Sequence, residues 1–268
     1  MLVQCLLLPN DGQILHLLWA LFFMKCYPTE EPACAAAGGQ RGAVDPKTLR
    51  KYIWPFIVAI ADLESHVVSN FIFILNLCFC ILIFLQILFD NRFRHDCDND
   101  CLLSVDGMDF QMSQADRDWY SHKFKRSGLH YEVALSILGG DICWICGPWK
   151  PGVYNDVMIF REALATWLEP GERVEADDGY VGEAPLRVKC PKSMTEPAEK
   201  EAMAKRVRSR HETVNKRFKQ WGILRQVFRN DLIHHRDVFA AICVITQLAI
   251  ENGEPLFEVH YDDMDVGV

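Results

Sequence analysis

Apolar and polar positions divide the chain into a helical front, an uncharged stretch and a longer part in which strands and helices alternate. Residues 14–25, "ILHLLWALFFMK", are almost wholly apolar, too few to cross a bilayer, and predict a buried helix. A second, short helix is predicted in "YPTEEPACAAAGG", with Thr29 at its N-cap, Glu30 and Glu31 in its first turn and Gly38-Gly39 at its end. A third opens at Asp45, an N-cap followed by Pro46 at the first helical position. Leu49, Ile53, Phe56, Ile60 and Leu63 form its apolar stripe. Residues 71–89, "FIFILNLCFCILIFLQILF", hold no charge. From Cys101 the pattern turns strand-like: "CLLSVDGMDFQM", "HKFKRSGLHYEVALSIL" and "GDICWICGP" read as three strands, the last two joined by a Gly-Gly-Asp turn. An amphipathic helix capped by Asn155 or Asp156 follows in "NDVMIFREALATWL", then a short strand, "ERVEADDGY", ending in acids. A Pro-rich charged connector leads to a helix over residues 206–224. The last helix, "RDVFAAICVITQLAIENG", stops at Asn252-Gly253.

This order predicts an α/β fold behind a small all-α region. The boundaries fall at 1–67 for the helices, 68–89 for the apolar insert and 90–268 for the α/β domain. The three front helices, with a Gly-containing turn and the basic residues Lys47, Arg50 and Lys51 at the start of the third, suit a helix-turn-helix; an ordinary helical bundle is the other reading.

With 268 residues and half of them apolar, the chain can bury a sizeable core, which excludes a disordered protein. A net charge of -8 excludes a uniformly basic nucleic-acid binder, but the charge is segregated. Residues 187–229 hold thirteen Lys or Arg against four Glu, whereas the charges of residues 251–268 are all acidic. A phosphate feels the local field, since screening limits reach to about 10 Å. The eleven cysteines are odd in number and scattered through apolar runs, behind an N-terminus without a basic leader, so reduced and mostly buried thiols are expected. Cys97 and Cys101 with His95, and Cys143 with Cys146, are spaced closely enough for metal, but the second pair has no matching second half and its strand-like setting favours a core reading.

In "RVRSRHETVNKRFKQWGIL" a single carboxylate, Glu212, sits among Arg208, Arg210, Lys216, Arg217 and Lys219. As a helix it would present Lys205, Arg208, Glu212, Lys216 and Lys219 on one face and bury Val207, Val214, Phe218 and Trp221 on the other. The face reads either as solvated i,i+4 ion pairs or as a metal ligand beside a bound polyanion. Asp106 on the first strand and Asp177 at the end of a later one supply two further carboxylates. Such a set from separate elements suits phosphodiester chemistry with hard divalent ions.

The motifs "SVDGMDF", "NDVMIFR", "EADDGYVG" and "RSRHETVNKRFKQWGIL", in that order over about residues 101–258, resemble the DDE transposases, nearest the Harbinger-like and related bacterial insertion-sequence families. The resemblance places the catalytic, metal-binding triad on Asp106, Asp177 and Glu212, with Asp109 and Asp178 as rival ligands. Met108 stands where the family usually has Thr, and Asp156 reads as a helix cap or a support for the site. It implies an RNase H-like mixed sheet flanked by helices, two Mg2+ or Mn2+ ions, and cleavage and joining of DNA at transposon ends and target. Lys205, Arg208, Lys216 and Lys219 would hold phosphates, and the front helices would be a shortened DNA-binding region using Lys47, Arg50 and Lys51. A homo-oligomer and, in a eukaryote, a nuclear location go with that reading.

Two other readings stay open. A domesticated copy would bind DNA without catalysis. The stretch 71–89 is long enough for a transmembrane helix that would anchor the protein in a membrane, while residues 68–86 can also be encoded by a translated, unspliced intron.

Overall fold

The computed structural model describes residues 9, 12–64, 101–113 and 117–256. The apolar stretch 71–89, its alternative reading as an intron product, and the His95–Cys97 cluster lie outside the described residues.

The front holds three helices, α1 (Ile14–Cys26), α2 (Glu30–Gly38) and α3 (Pro46–Ala61). Asp45 caps α3 as expected, its carboxylate accepting from the Lys47 and Thr48 backbone N–H groups. The predicted stripe Leu49, Ile53, Phe56, Ile60 and Leu63 is buried throughout. Helix α1 departs from expectation. It buries His16, Leu17, Ala20 and Met24 but leaves Ile14, Leu15, Leu18 and Phe22 exposed, because only one of its faces meets α3 and the rest of the core.

Strands β1 (Cys101–Gln111), β2 (Tyr120–Ser121), β3 (Arg126–Ser136) and β4 (Ile142–Trp149) follow, then α4 (Asp156–Glu162), β5 (Arg173–Glu175) and β6 (Val188–Lys189). They form a six-stranded mixed sheet in the order β2-β3-β1-β5-β6, with β4 also paired to β3. β1 runs antiparallel to β3 and parallel to β5, which in turn is parallel to β6. The central strands are buried on both faces, which is why their sequences read as near-continuous apolar runs. β6 escapes sequence reading: only Val188 of its two residues is buried, inside a segment whose prolines and charges mimic a connector. The helix read over "NDVMIFREALATWL" is cut short at Glu162, where Ala163 leaves helical geometry and a 3-10 turn, Leu164–Thr166, takes over.

Helices α5 (Pro197–Lys219), α6 (Gly222–Arg225) and α7 (His235–Glu251) complete the fold. One face of the sheet, with Met108, Phe110, Tyr131 and Val133, shares a core with α5, α7 and the three front helices. The other, with Leu103, Val105 and Ala134, packs on Phe160, Leu164 and Tyr180. Helix α5 buries Val207, Val214 and Phe218, as its spacing predicts, and with them Met203 and His211, while Trp221 lies past its end and is half-buried. Among the described residues the one stretch long and apolar enough to cross a membrane, Leu232–Glu251, is mostly buried in this core. The front helices are docked on it. Arg229 donates to the Tyr27 carbonyl, the Tyr27 hydroxyl donates to Asn230 Oδ1 at 2.8 Å, and Trp54 stacks on His234.

Candidate active site

β1 and β3 stay in unbroken register from Leu103 to Gln111, so alternate residues of β1 face opposite sides of the sheet. Asp106 therefore shares a side with Ser104 and Met108, the side covered by α5. Gly107 and Asp109 share the side of α4.

On the α4 side the sheet buries a chain of charge. The His130 ring donates from Nδ1 to Asp109 Oδ1 at 2.6 Å, and its Nε2 stands 3.2 Å from Asp156 Oδ1, an ion-pair contact rather than a well-aligned hydrogen bond. The Ser121 hydroxyl donates to the other Asp109 oxygen. Although burial opposes it, the two carboxylates raise the His130 imidazolium to about 9, and Asp109 and Asp156 are held below the usual carboxylate range against the same cost. Asp156 is not the helix cap; Asn155 is, accepting from Met158 N–H at 3.0 Å, and this frees Asp156 to reach His130.

Asp156 also lies between the segments that carry Asp106 and Asp177. A Cβ at Gly107 would come within 2.8 Å of Asp156 Oδ1 and 2.5 Å of the His130 ring, and one at Gly179 within 3.2 Å of Asp156 Oδ2. At Gly107 only glycine permits that approach, while at Gly179 a Cβ would press on the carboxylates of Asp156 and Asp177. Asp106 Oδ1 accepts from the Gly107 N–H at 2.8 Å. Its carboxyl is pushed up to about 7, first by burial and then by Asp177 and Asp156, with Lys123 opposing. Asp177 caps the 3-10 turn Asp178–Glu183, accepting from the Gly179 N–H at 2.7 Å. Asp178 points elsewhere: one of its oxygens accepts from the Lys192 N–H at 2.9 Å.

Helix α5 is fixed over this end of the sheet. A His211 ring nitrogen meets Ser104 Oγ at 3.0 Å, one residue before Glu212 on the helix and two before Asp106 on the strand. Burial holds His211 down to about 3, so the ring is neutral. The cations around Glu212 divide in two. Arg210 and Arg206 bind the buried Glu175 at 2.6 and 3.1 Å, and Arg217 binds Glu254. Lys205, Arg208, Lys216 and Lys219 make no ion pair among the described residues and remain beside Glu212, which is itself exposed. At the start of α3, Lys47 is exposed, Arg50 pairs with Glu30 and Lys51 lies over the Tyr52 ring.

The structure thus brings Asp106, Asp156 and Asp177 within electrostatic range of one another and sets Glu212 one residue from a contact with β1, the strand of Asp106. Among the described residues no three His, Cys, Asp or Glu side chains are close enough to hold a metal ion between them. Cys143 is buried and Cys146 accepts from the Trp149 indole; all described cysteines are free thiols.

Sequence reading missed His130, Glu132 and Lys123. The signal for the first two was present: polar residues two apart, on one side of the otherwise apolar strand "LHYEVALSIL".

A mixed sheet with carboxylates at the middle of its central strand and past the end of the parallel neighbour, and a helix crossing above them, defines an RNase H-like nuclease fold. The chain belongs to the DDE superfamily endonucleases, whose family model matches residues 105–247, more than half its length. No curated protein and no solved structure matches it. The family gives the chain a transposase or nuclease type of function, with DNA as the general substrate and divalent metal as the general requirement.

Proposed function

We propose that the protein cleaves and joins DNA as a transposase and that Asp106, Asp177 and Glu212 hold its two divalent ions, magnesium or manganese. The observation that carries this is the setting of Asp106: a partly buried carboxyl beside Asp177 and Asp156, raised to about 7 first by desolvation and then by those two carboxylates, against the pull of Lys123. The donors are all carboxylate oxygens, the set preferred by hard divalent cations. Asp177 is taken over Asp178 because it is Asp177 that acts on Asp106, while Asp178 turns to the Lys192 backbone, and Asp106 over Asp109 because both Asp109 oxygens are engaged by His130 and Ser121.

When bound, such ions supply activation of the attacking oxygen and stabilisation of the leaving one. The chain's own residues do the rest. Asp106 gives up its proton on loading, the Gly179 N–H fixes the Asp177 carboxylate, and Lys205, Arg208, Lys216 and Lys219 hold backbone phosphates beside Glu212. Lys47, Arg50 and Lys51 on α3 extend the DNA contact to the front helices. Nicking of supercoiled DNA with Mn2+ tests the reading. Glu212→Gln and Asp106→Asn each abolish cleavage and leave DNA binding intact; undiminished nicking by either variant refutes the assignment.

A further inference from the structure

We infer that Lys123, at the turn of the β2–β3 hairpin, is a substrate-contacting residue whose ammonium binds a DNA phosphate next to the one being cleaved, opposite the lysines of α5. This rests on the reading that the carboxylate site acts on DNA.

The hairpin is built to hold this side chain in place. Tyr120 and Ser121 pair with Ser127 and Arg126, leaving residues 122–125 as the turn, with Lys125 in the left-handed region at φ 53°. The Ser121 hydroxyl ties the hairpin to Asp109 on β1. From the turn, Lys123 Nζ donates to the Gly107 carbonyl at 3.0 Å, one residue from Asp106. An ammonium has three protons, and a single carbonyl uses one. Lys123 acts electrostatically on Asp106, Asp109 and Asp156, and also on Lys219 at the last turn of α5.

Two ammonium groups, from elements about a hundred residues apart in sequence, thus act on each other and on Asp109, and Lys123 is held beside Asp106 by the Gly107 carbonyl although like charges repel. A phosphate diester between them relieves that repulsion. The turn adds His122, Lys125 and Arg126, all exposed, so the cationic surface of α5 continues across the site onto the hairpin.

The competing role is that of a counter-ion, with Lys123 doing no more than offset the charge of Asp106 and Asp156. The two roles differ in what removal of the charge does. A counter-ion competes with divalent metal, so its loss tightens metal binding and leaves DNA affinity alone. A phosphate contact sets DNA affinity and its dependence on salt.

The test is fluorescence anisotropy of the full chain on a labelled duplex over a salt series, with metal chelated, alongside Mn2+-induced thermal shifts without DNA. Lys123→Gln is expected to lower the slope of log affinity against log salt by about 0.9, the loss of one phosphate contact, and Lys123→Arg to restore it. In the nicking assay the Gln variant raises KM with kcat less affected. An unchanged slope with a larger Mn2+ shift makes Lys123 a counter-ion and overturns the inference. Wild-type protein that binds no duplex at all overturns the DNA reading itself, a result separable from the first.

Discussion

Tyr180 Oη donates a 2.9 Å hydrogen bond to Glu132 Oε1, tying the turn that carries Asp177 to strand β3 at the residue paired with Gly107. Both side chains are fully buried, and Glu132 Oε2 has no partner among the described residues. Tyr180→Phe deletes the bond and leaves the carboxyl wholly unsatisfied, a loss of about 1–3 kcal/mol readable by urea unfolding. Because the same turn holds Asp177, nicking falls as well. A variant as stable and active as wild type would show that the turn is held by other contacts.

Glu132 has a pH signature. Burial pushes its carboxyl up to about 8, from an ordinary value of 4.5. Below about pH 4.5 folded and unfolded chains both hold the proton. Between there and about 8 only the folded chain does, so this group's contribution to stability is lost as pH rises through that window. Glu132→Gln removes the titration and still accepts from Tyr180. The unfolding midpoint of wild type should therefore decline relative to the variant from pH 5 to 8. Parallel profiles would mean that Glu132 ionises normally.

How much of this was readable in advance depends on the range of the interaction. The strands β1, β3, β4 and β5, the α3 cap at Asp45 and Val207, Val214 and Phe218 on the buried face of α5 follow from local pattern and stand where the sequence puts them, whereas the two-residue strands β2 and β6 are too short to show a period. The choice of Asp106, Asp177 and Glu212 among the acids came from the resemblance in motif order, not from periodicity. What escaped is pairing between distant positions. Nothing local to Arg206 and Arg210 says that Glu175 will take both of them out of the basic face, or that Asn155 rather than Asp156 will cap α4 because Asp156 has His130 to meet. Asp178 and Asp177 are neighbours in sequence. The Lys192 backbone, brought in by the turn after β6, separates their roles.

The Glu175 cluster gives a test of which arginine matters. Glu175 and Arg210 are both nearly buried, at 8% and 12% side-chain exposure, whereas Arg206 is 45% exposed. Arg210→Ala strands a buried carboxylate and costs on the order of 3 kcal/mol, while Arg206→Ala costs at most about 1 kcal/mol. The two arginines hold Glu175 below the ordinary carboxylate range, so its stabilisation is present above about pH 4.5 and fades as pH falls through that depressed value. Equal losses from the two substitutions, measured by denaturant unfolding, would contradict the burial argument.

His130 titrates in the opposite sense. Its value is raised to about 9 from 6.5 by Asp109 and Asp156, so its contribution is complete below about pH 6.5 and lost as pH rises through 9. Relative to His130→Gln, wild type should lose stability between pH 7 and 10. The site should loosen with it, since His130 is what holds Asp156 between the two aspartate-bearing segments. A difference between the proteins that stays constant over this range would mean that the ring is neutral when folded.

Metal loading should depend on pH through Asp106. With its carboxyl raised to about 7 from 3.8, the folded protein at pH 6 keeps a proton that a divalent ion must displace, and at pH 8 it does not. Mn2+ at a fixed concentration c should therefore raise Tm more at pH 8 than at pH 6, since a ligand stabilises the folded state by RT ln(1 + c/Kd) and Kd falls once the proton is gone. Asp106→Asn has no such proton and lacks the charge, so its shift should be small and the same at both values. Glu212→Gln keeps the Asp106 titration while removing a donor, so its shift should be smaller than wild type yet still grow with pH. Identical Mn2+ shifts in wild type and Asp106→Asn at pH 8 would place the metal elsewhere.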